Sequence, residues 1–195
     1  MILLNLAWGP VSMRKLTSYL LVSLDGVVEA PRRFFREDVY PDILPLIGDT
    51  IAEQDAVLLG RKMYQEWSAY WPQSTTEPFA SFINRVPKYV VSQTHPALDW
   101  QPAHLISGDV QNEIIALKSQ RGGTIGVHGS ITLVQYLLTA GMLDELRFVL
   151  FPAVAGNGRR LLSREGDPIQ LDLAATRSMP SGLQFLTYRP RRQDS

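Results

Sequence analysis

The sequence predicts an α/β fold built on a mixed, mainly parallel sheet, and three observations carry that expectation. Short apolar runs alternate with stretches of helical periodicity along most of the chain, the pattern of successive βαβ units. Runs such as Ala56–Leu59, Tyr89–Val91 and Thr124–Val127 are apolar throughout rather than alternating, as in strands covered on both faces. The C-terminal portion then breaks the alternation. Ile169–Thr176 and Leu183–Tyr188 flank Met179-Pro-Ser-Gly182, the signature of an antiparallel hairpin closing one edge.

Taken in order, Leu16–Leu24 reads as a strand stopped by Asp25-Gly26, and residues 29–41, charged, aromatic and bounded by prolines, as a structured loop. Ile43, Leu46, Ile47 and Ile51 recur at helical spacing. Ala56–Leu59 is a strand ending at Gly60, and Arg61–Tyr70 a helix closed by Trp71-Pro72. Tyr89–Val91 and His104–Ile106 are short strands. Asp109 is the expected N-cap of a helix whose apolar stripe is Val110, Ile114, Ile115 and Leu117. Thr124–Val127 is a strand, a helix follows to Ala140, and Asp144–Phe151 is a strand again.

A chain of 195 residues fits one domain. That domain is expected over residues 14–190, after a leader over 1–13 and before a polar tail at 191–195. Basic and acidic residues number 19 each, with a sequence pI near 6.8. No net field draws the chain to nucleic acid or membrane, so neither is an expected partner. Cysteine is absent, which excludes a disulfide scaffold and a thiolate nucleophile and fits a cytoplasmic setting. His95, His104 and His128 have no metal-ligand spacing, and no metal is expected.

Three strands end in small or polar residues: Gly60-Arg61-Lys62, Ser92-Gln93-Thr94 and His128-Gly129-Ser130. In α/β sheets ligands sit at the carboxyl ends of strands. Glycine there admits a phosphate to the backbone, and the next helix offers unpaired N–H groups and a positive dipole end. Glycines after strands also simply make turns. The three ends together suggest a dinucleotide or phosphorylated ligand. No G-x-G-x-x-G or Walker sequence is present.

The segments SLDGVVEAP (Ser23–Pro31), DAVLLGRKMYQEW (Asp55–Trp67), KYVVSQT (Lys88–Thr94), IGVHGSITLVQYLL (Ile125–Leu138) and DELRFVLFPAVAGNGRRLL (Asp144–Leu162) occur in this order. Together they resemble the dihydrofolate reductase-like superfamily, in the branch of the C-terminal reductase domain of the bifunctional riboflavin-biosynthesis deaminase/reductase. The resemblance implies a three-layer α/β/α fold, NADPH as coenzyme, and hydride transfer to a small pterin-, pyrimidine- or imine-like substrate. It also implies a homodimer.

Mapped onto this chain, it assigns Gly60, Arg61 and Lys62 to the coenzyme's adenosine phosphate, with Arg61 on the 2′-phosphate. Ser92, Gln93 and Thr94 fall beside the adenosine. His128, Gly129, Ser130, Ile131 and Thr132 fall along the pyrophosphate. Met63 stands where dihydrofolate reductases carry a threonine. No folate-type carboxylate follows the first strand on a clear helical face. Asp25 is the candidate substrate contact, with turn formation as its other reading; Glu37 and Asp38 are further acids. A non-catalytic nucleotide-binding module on the same fold is the competing function.

Overall fold

The computed structural model describes residues 13–36, 38–162 and 167–191. Residues 1–12 of the expected leader, the acid Glu37 and residues 192–195 of the expected tail lie outside the described residues. The elements run β1 (Leu16–Ser23), α1 (Ile43–Ile51), β2 (Gln54–Gly60), α2 (Arg61–Tyr70), α3 (Phe79–Arg85), β3 (Lys88–Val91), β4 (Ala103–Ile106) and α4 (Val110–Ser119). They continue with β5 (Thr124–His128), α5 (Ile131–Thr139), β6 (Glu145–Phe151), β7 (Leu171–Ser178) and β8 (Gln184–Pro190).

The eight strands form one sheet in the order β4-β3-β2-β5-β1-β6-β8-β7. Pairing is parallel from β4 through β6 and antiparallel for β6–β8 and β8–β7. The mixed sheet with a closing hairpin is the architecture the sequence predicts. Alternation along the strands splits the core into two faces. On one, Leu16, Leu20, Val22, Leu58, Ile125 and Val127 pack against Ile114 and Leu117 of α4 and Val134 and Leu137 of α5. On the other, Val57, Leu59 and Val90 meet Ile51 of α1, Tyr64 of α2 and Phe79, Phe82 and Ile83 of α3. Tyr19, Val149 and Phe151 continue that face against Ile43 and Leu46 of α1.

Three local expectations need correction. The helix α3 was not anticipated, because it is only seven residues long and follows a polar, proline-bounded stretch. Its place is fixed by tertiary contact. The Lys88 Nζ is fully buried and donates to the carbonyls of Ile83 and Val86, each at 2.9 Å, at the end of α3, while lying 4.5 Å from the ring centroid of Trp100. Ile115 is exposed rather than part of the α4 stripe, since one residue beyond Ile114 turns about 100° away from the core. Strand β7 begins two residues later than the apolar pattern indicates, at Leu171. It is an edge strand whose side chains are mostly exposed, so burial patterning carries little information there.

Gly126 in β5 shows how tightly the second face is filled. A Cβ added there would lie 2.6 Å from the Gln54 Cδ and 2.8 Å from the His128 Nε2. Gly126→Ala is therefore expected to lower stability by about 1–3 kcal/mol, seen as a lower urea midpoint at unchanged slope.

Candidate active site

Strands β3, β2 and β5 are neighbours, and their registers keep their carboxyl ends level: Gly60 lies opposite Val91, and Leu58 opposite Val127. The structure thus brings Gly60–Lys62, Ser92–Thr94 and Gly129–Thr132 to one edge of the sheet. The ends of β2 and β5 are tied directly. The Gly60 N–H donates to the Ser130 Oγ at 2.8 Å. Ser130 is the N-cap residue of α5, yet its side chain caps none of that helix's own N–H groups; Gly60, the N-cap of α2, has no side chain to cap with. By contrast α4 is closed by Asp109, whose Oδ1 accepts from the Asn112 N–H at 3.1 Å. An α-helix leaves its first N–H groups without intrahelical partners. At α2 and α5 they carry no side-chain cap and sit beside two glycines.

Gly129 has φ +63°, and a Cβ there would lie 2.8 Å from the Met63 Cε and 3.5 Å from Trp67. The position thus combines a backbone conformation that disfavours side chains with a close neighbour. Met63 packs here. Arg61 and Lys62 are exposed on the first turn of α2. Arg61 donates to the Gln65 Oε1 at 3.1 Å, and the Lys62 Nζ stands 3.9 Å from a Glu66 carboxylate oxygen. The buried Ser92 Oγ accepts from the Thr94 N–H at 3.1 Å, turning the chain after β3 and leaving Gln93 and Thr94 exposed. Ile131 is buried, and the Thr132 Oγ1 accepts from the Arg159 guanidinium at 3.0 Å.

Asp25 follows β1 on the other side of β5, and its carboxylate is engaged with its own chain. The Oδ1 accepts from the Ser23 hydroxyl at 2.6 Å and the Ala155 N–H at 2.9 Å, and the Oδ2 from the Gly156 N–H at 3.0 Å. The Ser23 hydroxyl above all, then the Ala155 amide, pulls its pKa down to about 2. Asp25 is an ionised clamp on the loop after β6 and is unsuited to donating a proton. Arg33 fastens the same loop through the carbonyls of Asn157 (2.6 Å) and Ala155 (3.0 Å). Asp38 pairs with Arg36 at 2.5 Å.

His128 ends β5, but its imidazole turns away from this edge into the α1–α3 face, where it is 2 % exposed. Only its backbone belongs to the strand-end edge. The Nε2 meets the Gln54 Oε1 at 2.7 Å, and the rings of Tyr19, Trp67, Phe79 and Phe82 surround it with centroids 5.4–6.3 Å away. Burial lowers its pKa to about 4, so the imidazole is neutral at physiological pH. Gln54 and Tyr19 are the contacts sequence reading missed. A lone glutamine before an apolar run and a tyrosine inside one give no periodic signal.

The sheet order, the closing hairpin and the strand-end site together define a dihydrofolate reductase-like α/β fold. The chain belongs to the family of the RibD C-terminal domain, whose pattern it matches over residues 14–185. It is 28% identical over 184 residues to the uncharacterized protein YyaP of Bacillus subtilis, covering 91% of this chain and 96% of that one. Among solved structures it resembles a putative riboflavin biosynthesis protein from Shewanella sp. PV-4, with TM-score 0.70 and 18% identity over 91% of this chain and 99% of the other. It also resembles a dihydrofolate reductase from Enterococcus faecalis complexed with NADP(H), with TM-score 0.63 and 13% identity over 91% and 97%.

The buried imidazole has a measurable consequence. Between pH 6.5 and about 4 the unfolded chain binds a proton at His128 that the folded chain refuses, so stability falls as pH drops through that window and levels off below it. The total effect is at most about 3 kcal/mol. His128→Gln is expected to flatten that part of the acid limb in urea midpoints measured from pH 7 to pH 4.

Proposed function

We propose that this protein is an NADPH-dependent oxidoreductase that transfers a hydride to a small pterin-, pyrimidine- or imine-like substrate. The observation that carries the reading is the level edge formed by Gly60–Lys62, Ser92–Thr94 and Gly129–Thr132, with two helix starts lacking side-chain caps beside glycines. Membership of a reductase-type family supports it, as does the fold shared with a dihydrofolate reductase complexed with NADP(H).

The residues present fit such a coenzyme. The first N–H groups of α5, which carry no side-chain cap beside Gly129, suit a pyrophosphate. The exposed Arg61, whose hydrogen-bond partner is the neutral Gln65, suits the 2′-phosphate. Lys62 adds charge beside it, and Ser92, Gln93 and Thr94 flank the adenosine. The bound coenzyme supplies the hydride. The chain's own part is to bind it, align the acceptor and exclude water. Asp25 shapes the substrate side by holding the 155–156 turn.

A non-catalytic nucleotide-binding module is the second reading. One observation favours it: both oxygens of Asp25 are engaged by the protein itself, leaving that carboxylate no proton to give. We further read residues 14–190 as one reductase domain, cytoplasmic and homodimeric, with the exposed edge strand β7 as the surface available to a second copy.

Arg61→Ala is expected to weaken NADPH binding about 10–100-fold, the loss of one charge-assisted hydrogen bond, while NADH binding changes little. Titration calorimetry with both coenzymes measures this. Equal losses for the two would remove the 2′-phosphate assignment, and no association of wild-type protein with either would remove the coenzyme reading. Hydride transfer to a panel of heterocycles separates the enzyme from the module.

A further inference from the structure

A sheet edge is a row of unpaired backbone N–H and C=O groups, and proteins either blunt it or fill it. The two edges of this sheet are β4 and β7. Strand β4 has four residues, whereas β7 has eight, with all but the first exposed. The ladder between β7 and β8 slips once. Leu173 pairs with Tyr188 and Ala175 with Thr187, so Ala174 is an extra residue, a β-bulge.

That bulge decides which side chains share a face. Residues directly opposite one another in a ladder point the same way, and neighbours along a strand alternate. Asp172 stands opposite Arg189, Ala175 opposite Thr187 and Arg177 opposite Phe185, so these three lie on one face. Ala174, Ala175 and Arg177 line one cleft beside α1 together with Phe185, Thr187 and Arg189, a cavity of about 400 Å³. Leu173 and Thr176, opposite Tyr188 and Leu186, lie on the other face. Without the extra residue Asp172 and Arg177, an odd number of positions apart, would point to opposite faces. With it the strand is chemically symmetric about its middle: two alanines, then Leu173 and Thr176, then Asp172 and Arg177.

We propose that a second copy of this chain pairs antiparallel with β7, about a twofold axis between Ala174 and Ala175. In that register Asp172 meets the partner's Arg177 and Leu173 meets the partner's Thr176. Each contact occurs twice, as an isologous interface requires, and every opposed pair lies on a single face. This builds on the homodimer reading above and gives it a register and its charge pairs. Charge on an edge strand ordinarily deters a second strand. Here the acid and the base sit where self-pairing brings unlike charges together. Their present partners leave them available. Asp172 pairs with Arg191 at 2.5 Å and Arg177 with Asp49 at 2.8 Å, all four side chains being more than half exposed, and such pairs hold loosely. Across the seam the Asp49–Arg177 pair continues into the partner's Asp172 and the partner's Arg191. Leu173, 53% exposed, gains cover.

The test is a charge swap read by sedimentation velocity. Wild-type protein is expected to be a dimer at micromolar concentration. Asp172→Arg and Arg177→Asp each set like charges against one another at both ends of the seam. Each is expected to weaken self-association by about 10–100-fold, with NADPH affinity unchanged and Tm within about 2 °C of wild type. Mixed one to one, the two variants are expected to dimerise with each other as wild type does, because acid then meets base at both ends. The double variant is expected to recover the dimer for the same reason. The inference is overturned if both single variants dimerise like wild type, which leaves a homodimer through another surface, or if their mixture stays monomeric. A monomeric wild type overturns it together with the homodimer reading. A wild type that dimerises and answers to the swap but binds no NADPH sinks the reductase reading alone.

Discussion

The hydrogen bond from the Gly60 N–H to the Ser130 hydroxyl fixes the relation of the two strand ends on which the site depends. A serine at an N-cap ordinarily turns back on its own helix and contributes about 0.5–2 kcal/mol by doing so. Ser130 instead reaches across to the neighbouring strand, holding β2 and β5 level while its helix goes without that cap. Gly129, in the left-handed region, carries no side chain where Met63 packs, and Gly60 carries none beside Ser130. Among the described α-helices only α4 has a side-chain cap, from Asp109 after β4, and α1 and α3 lack one as α2 and α5 do, so what sets the α2 and α5 starts apart is the glycine at each.

The opposite end of the sheet is built on different physics. Glu145, at the start of β6, is almost wholly buried, yet it stays ionised. Burial alone would raise its pKa, but hydrogen bonds from Arg147 and Lys15 outweigh that and lower it. Arg189 adds a third cation at 3.2 Å, and Arg147 continues to Glu53. Nearby, Lys118 pairs with Asp144 at 2.5 Å and Arg14 with Asp55. Charge is compensated within the protein at the amino ends of the parallel strands. At their carboxyl ends Arg61 has a neutral partner and Lys62 only a long pair with Glu66. That polarity, more than any single residue, is what the proposed coenzyme reading rests on.

Most of the sheet could be read from the sequence because parallel strands and helix stripes are written in long-lived periodicities: Ala56–Leu59, Tyr89–Val91 and the α5 stripe needed no tertiary information. The strand-end glycines could be read for the same reason, since each punctuates an apolar run. The helix α3 could not, because its seven residues are stabilised by the Lys88 side chain and by Phe79 and Phe82 packing on distant elements. Asp25 was legible only as a choice between two roles. Its carboxylate is engaged by amides 130 and 131 residues away, a pairing no local pattern encodes. His128 illustrates the same limit. Its place after a strand invites a role at the edge, whereas the alternation of β5 turns its imidazole to the face where Gln54 can meet it.

A cradle made of backbone N–H groups, two glycines and the level ends of three strands makes few demands on side chains. Met63 packs beside Gly129 and leaves those groups in place. On the proposed reading the substrate side is made of side chains, with the loop held by Asp25 and Arg33 at its border. Coenzyme class is therefore the property that family resemblance carries furthest. Substrate class, on that reading, has to be sought in those side chains.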